Sequence, residues 1–203
     1  IIGIAAIISL ISVSNGLQNY INEQFEQIGS TRIFITPKTQ GFDFTVEGLT
    51  TKDVETLETI SEIDWIQPWL VNSDEIKFGR ETGFLQMLHG IPTQDNQKRL
   101  EGYGMSIKQG RFFNANDRKV ALIGPRIAKD FFDRDVVINS NIKVKEENFK
   151  VIGILNEIGN AEDDTTMYIP IDDAREIFNK ADEVNMIELK IKTGVDVNAV
   201  AQK

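Results

Sequence analysis

Apolar residues fill positions 1 to 13, IIGIAAIISLISV, apart from two serines, and the first charged side chain is Glu23. As a helix rising ~1.5 Å per residue, this run covers only ~20 Å of a ~30 Å hydrocarbon layer. It reads as the outer end of a transmembrane helix truncated upstream, which also fits the lack of an initiator Met and of a basic leader region; a buried amino-terminal helix is the alternative. From Ser14 the pattern turns amphipathic, with Leu17, Ile21, Phe25 and Ile28 at spacings of four, four and three among polar Asn19, Asn22, Glu23, Gln24, Glu26 and Gln27. These four residues form the expected coupling stripe of a stalk. Gly29 ends it, and Arg32 to Thr36 read as the first strand of a folded domain.

Further along, residues 38–48 lack any helical period and read as a loop or edge hairpin, in which Phe42 and Phe44 stand out among polar neighbours. They are candidate contacts for a partner or substrate, with a small hairpin folded onto the domain as the alternative. Thr50 to Asp53 resembles a capping box opening a helix that turns Val54, Leu57 and Ile60 inward. A long strand region to about Phe78, a turn at Gly79 to Gly83 and a second strand from Phe84 to Ile91 follow. Residues 102–110 are punctuated by three glycines and read as a loop region. Val120 to Ile123 is a strand, Pro125 opens a short helix, and Asn141 to Leu155 alternates as a hairpin around Glu146 and Glu147. Met167 to Pro170 leads into a helix whose first turn carries Asp172 and Asp173, followed by a strand at 185–192 and the start of a helix.

Helix-bearing units therefore sit at both ends, with a run of short strands between them. The fold class expected is α+β, with an α/β subdomain (29–80 and 182–203) interrupted by a β-rich insertion (81–181) and preceded by the membrane helix end and stalk (1–28).

Composition narrows the chemistry. The 203 residues carry 31 Asp and Glu against 22 Lys and Arg, a net charge of -9, so phosphate backbones are repelled and no nucleic acid partner is expected. With no Cys, a thiol nucleophile or Cys-ligated zinc is excluded, and with a single His a multi-His metal site or Ser-His-Asp catalysis is nearly so. Glu162, Asp163 and Asp164 lack EF-hand spacing and read as a solvated loop, with Asp172 and Asp173 complementing a helix amino terminus. His89 reads as a packed or exposed side chain at a strand end, and Trp65 and Trp69 as core or inter-subdomain packing. No Gly-rich run followed by Lys-Ser or Lys-Thr is present, so an ATPase, if one is needed, is expected on another polypeptide.

Several segments, in order, carry a resemblance: Ile2 to Ala6 running into Gly16-Leu17 and Phe25 to Ser30; Gly110-Arg111-Phe112-Phe113 with Asp117; Val120 to Gly124; Phe149 to Leu155; and Tyr168-Ile169-Pro170. Together they resemble the MacB-like periplasmic core domain of FtsX-type ABC transporter permeases. Ser140-Asn141 stands where many members carry a glycine, so that turn is expected to differ. The resemblance implies a mixed α/β porter-like subdomain with a mainly β insertion, between the first two of four membrane helices. It also implies a homodimer, made with a second permease copy, working with a cytoplasmic ABC ATPase subunit that binds the ATP; no cofactor is expected in this chain. The domain would lie on the periplasmic or extracellular side of the cell membrane, do no chemistry, and transmit stalk movement to export, with an extracytoplasmic adaptor or the substrate as a further contact. The alternative is a regulatory or partner-binding external domain of an FtsX-type signalling complex.

Overall fold

The computed structural model describes residues 31–37 and 48–202. Eleven strands and six helices are described: β1 (Arg32–Ile35), β2 (Leu49–Thr50), α1 (Thr51–Glu58), β3 (Ile63–Phe78), β4 (Glu81–Ile91), α2 (Asn96–Glu101), β5 (Ile107–Gly110), β6 (Val120–Ile123), α3 (Pro125–Lys129), β7 (Asn141–Val144), β8 (Glu147–Leu155), α4 (Ala161–Asp164), β9 (Thr166–Pro170), α5 (Ile171–Phe178), β10 (Glu183–Val184), β11 (Met186–Ile191) and α6 (Val197–Ala201). The α+β class is the one expected. Local chemistry sets the helix starts: Asp53 Oδ2 accepts the Thr50 N–H at 2.7 Å and the Thr50 hydroxyl at 2.8 Å, and Pro125 occupies the first turn of α3. No helix among the described residues is long and apolar enough to cross a membrane.

The long strand β3 organises the sheet by changing partner along its length. Its first half pairs antiparallel with β11, from Ile63 opposite Ile191 to Trp69 opposite Met186, and β1 adds to the far side of β11. β1, β11 and the first half of β3 thus form one three-stranded sheet. From Leu70 onward β3 pairs instead with β4. The strand order β3, β4, β9, β6, β8, β7 then returns to β3, through Ile76 opposite Val144, so six strands close a ring. Five of those strands come from residues 81–181, and the sixth is the second half of β3. The partner exchange falls between Trp69 and Leu70, about ten residues before the boundary read from the sequence, because one uninterrupted strand serves both sheets.

Alternation along the ring strands sends Leu70, Ile76, Leu85, Ile123, Ile142, Val144, Phe149, Val151, Met167 and Ile169 into a packed apolar interior continuous with Ile187 and Leu189 of β11. A second apolar cluster lies on the other side of the strands. There Trp69, Val71, Ile91, Leu122, Ile152 and Tyr168 meet Leu100 of α2, Met105 and the Phe112-Phe113 pair. The segment read as a glycine-punctuated loop contains β5, which pairs antiparallel with β8.

Candidate functional site

The register of the three-stranded end sheet fixes which side chains share a face. Arg32 stands opposite Lys190 and Lys190 opposite Trp65, Glu188 opposite Gln67, and Met186 opposite Trp69, so all seven project to the same side. The opposite face carries Ile33, Ile35, Ile66, Ile187 and Leu189 into the main core. Across the polar face lies α2 with the turn at Gly102 and Tyr103, which belongs to the middle of the chain.

Here a charged pair is buried: the side chains of Arg32 and Glu188 are 7% and 0% exposed. Arg32 Nη1 donates to Glu188 Oε1 at 2.7 Å, and Nη2 donates to the Gly102 carbonyl at 3.3 Å. The guanidinium carbon sits 4.4 Å from the Tyr103 ring centroid and 5.5 Å from that of Trp65. Trp69 Nε1 donates to the other Glu188 oxygen at 3.4 Å. Arg99 of α2 adds a second tie, donating to the Ile66 carbonyl at 3.1 Å and lying 5.2 Å from the Trp65 centroid. Burial, with the Glu188 carboxylate beside it, pushes the Tyr103 hydroxyl up, and burial lowers the Arg99 guanidinium.

Aromatic rings continue from this pair into the ring of strands. Trp69 meets His89 edge-on at 5.5 Å and 77°, and His89 stacks on Tyr168 at 5.0 Å and 20°. The Tyr168 hydroxyl reaches Met105 Sδ at 3.4 Å. Burial brings the His89 pKa down to about 4 and pushes the Tyr168 hydroxyl up, so both rings stay neutral in ordinary buffers. His89 is thus a packed side chain, and Trp69 packs against it, Tyr103 and Tyr168 where β3 passes from the end sheet to the ring, while Trp65 receives two arginines.

The expected coupling residues Leu17, Ile21, Phe25 and Ile28, and the expected contacts Phe42 and Phe44, lie outside the described residues. In the acidic stretch, Asp164 is buried and accepts the N–H groups of Ile158 at 2.8 Å and Gly159 at 3.1 Å, which makes it a loop anchor instead of a solvated carboxylate. Asp173 is likewise fully buried, so its role exceeds that of complementing a helix terminus. Among the described residues no group of three or more His, Asp or Glu side chains is placed to hold a metal ion. Arg32, Glu188 and Tyr103 were not singled out by the sequence reading. The available signal was a lone Glu inside the apolar run Met186-Ile187-Glu188-Leu189.

An end sheet joined to a ring of strands is the fold of a known class of extracytoplasmic domain. The family described as MacB-like periplasmic core domain matches residues 1–203, and the chain belongs to it. An uncharacterized ABC transporter permease of Methanocaldococcus jannaschii is 30% identical over 203 residues, covering 100% of this chain and 51% of the relative. A macrolide export ATP-binding/permease protein MacB of Mannheimia succiniciproducens is 26% identical over 212 residues, covering 100% of this chain and 32% of the relative. The chain therefore spans about half the length of the first of these and about a third of the second. Among solved structures, the periplasmic region of MacB from Actinobacillus actinomycetemcomitans superposes with a TM-score of 0.73 at 19% identity, covering 88% of this chain and 82% of that one. The extracellular domain of the ABC-type transporter YknZ from Gram-positive bacteria gives 0.65 at 17% identity, covering 83% and 87%. Both likenesses concern the fold.

Proposed function

We propose that this chain is the extracytoplasmic domain of an ABC transporter permease and transmits movement of the membrane and ATPase parts to export of a substrate. The observation that carries the reading is the pairing of β1 with β11. The strand that follows the expected stalk is laid against β11, itself paired with β3, so force on either acts on one three-stranded sheet. In this reading residues 1–28 are the membrane-helix end and stalk, with Leu17, Ile21, Phe25 and Ile28 as its packed stripe. The end sheet belongs to the porter-like subdomain. The domain catalyses nothing and holds no cofactor; ATP is bound by a separate ATPase subunit, and a second permease copy completes a homodimer. The family and the permease names of the relatives support the assignment to a permease.

The test is transport and ATP hydrolysis by the reconstituted full-length complex. A 28-residue stalk helix would span about 42 Å, and proline at position 21 would remove a backbone bond and cost about 3 kcal/mol or more of helix stability. Ile21→Pro should keep ATP binding and lose export, whereas Asp163→Ala should export normally. Full export by Ile21→Pro would overturn the reading.

A second reading, an external regulatory or partner-binding domain of an FtsX-type signalling complex, is favoured by one feature: Phe84 is 60% exposed beside a cleft lined also by Met87, Phe131, Arg126 and Glu162. A stable partner captured by the full-length protein and lost in Phe84→Ser, without transport, would support it.

A further inference from the structure

We propose that Arg32 is the positioning residue through which displacement of β1 reaches the Gly102–Tyr103 turn, and so the middle part of the chain; this rests on the transmission reading above. Backbone bonds join β1 to β11 alone among the pairings described. On the core face, Ile33 and Ile35 pack without directional contacts, and such packing can slide. Arg32 differs because one planar guanidinium is fixed at two points: the carboxylate of Glu188, 156 residues away, and the carbonyl of Gly102, 70 residues away, with the Tyr103 ring against its face. A guanidinium offers donors in a rigid fork and a flat face for stacking, whereas an ammonium has three freely rotating donors and no face, so it fixes neither the two acceptors in one geometry nor the ring against it.

Stability alone does not explain the charge. Burying an ion pair costs desolvation of both ions, and apolar side chains of similar volume serve a core as well or better. What the charge adds is a guanidinium held on Glu188 that also donates to the Gly102 carbonyl, a directional tie from β1 to a turn that no described backbone pairing joins to it. Glu188 extends the tie, since its second oxygen accepts from Trp69, which abuts His89 and through it Tyr168 of the ring. Spatial continuity is not itself coupling, so the test reads a response at one end to an event at the other.

The experiment is hydrogen–deuterium exchange on the full-length permease with its ATPase subunit, with and without a non-hydrolysable ATP analogue. The parent is compared with Arg32→Lys and Tyr103→Leu. Arg32→Lys keeps a cation against Glu188, and Tyr103→Leu removes the ring contact from the receiving side should the first variant fold poorly. In the parent, the analogue should change exchange in β1, β11 and residues 96–105. In both variants, the change in β1 and β11 should remain and the change at 96–105 should be lost. A merely structural Arg32 would raise exchange at 96–105 equally with and without the analogue and leave the difference standing; that outcome overturns the proposal while sparing the transmission reading. No analogue-dependent change in β1 or β11 of the parent overturns the transmission reading and this proposal with it.

Discussion

Arg118 Nε donates to Asp173 Oδ1 at 2.5 Å, while the second oxygen of the same carboxylate accepts the Lys119 N–H at 2.6 Å. Asp173 is thus the clamp that holds the chain as it enters β6, where Lys119 adopts a φ of +51°. Its side chain is fully buried while that of Asp172, one residue earlier, is 67% exposed. Asp173→Ala strips a charge-assisted pair and leaves the Lys119 N–H unmatched, which should cost about 2 to 3 kcal/mol. Asp172→Ala should stay within about 0.5 kcal/mol of the parent. Urea unfolding of both variants at neutral pH checks the contrast; equal losses would show that burial of the carboxylate is immaterial.

The buried pair in the end sheet makes a different stability prediction. Glu188→Leu leaves the Arg32 cation buried without its anion and should cost about 3 to 5 kcal/mol, whereas the double variant Arg32→Met/Glu188→Leu should recover most of that loss. A double-mutant cycle from thermal unfolding measures the coupling directly. Additive losses would mean that the two side chains do not depend on each other.

His89 sets an acid limit. Burial holds its pKa at about 4 against an ordinary 6.5, so between those values the unfolded chain binds the proton more readily than the folded one. Stability from this group is complete above pH 6.5 and is lost as pH falls towards 4, by on the order of 3 kcal/mol. Among the described residues the imidazole Nδ1 has no hydrogen-bond partner, so His89→Phe forfeits no bond there and keeps a ring between Trp69 and Tyr168. Urea midpoints measured from pH 7 to pH 4 should fall less steeply for His89→Phe than for the parent; parallel curves would show that His89 does not titrate in this range. His89→Ala is a poorer probe, because it opens a cavity between the two rings.

Elements whose cause is local were legible in the sequence. The Thr50–Asp53 box, the Pro125 start, the β3–β4 hairpin and the β7–β8 hairpin each depend on residues within a few positions of one another. In the last case the two-residue turn is Lys145-Glu146, one position earlier than read, with Lys145 at a φ of +52°. What escaped depends on distant partners. β5 shows no alternation, with only Ile107 half-buried, and exists because β8 offers its backbone. The partner exchange in β3 has no local signature, and neither Arg32 nor Glu188 reveals on its own that the other, 156 residues away, neutralises it.

The same distant backbone explains two glycines of the motifs that carried the family resemblance. Gly110 and Gly153 face each other across β5 and β8. At Gly110, φ is +84°, and a Cβ would lie 2.0 Å from the Ile152 carbonyl oxygen, a backbone atom that cannot swing aside. Gly110→Ala should therefore pay both for the left-handed conformation and for displacing β8, together about 3 kcal/mol or more. Gly104 is the control: its φ is +75°, but a Cβ there meets nothing within 4 Å, so Gly104→Ala should cost only about 1 to 2 kcal/mol. Because β5 is held by β8, the larger loss should appear as faster hydrogen exchange in residues 107–110 and 152–155, not merely as a lower midpoint. Equal destabilisation by the two substitutions would mean that the close approach of the β8 backbone contributes nothing, and that β5 is fixed by the loops on either side of it.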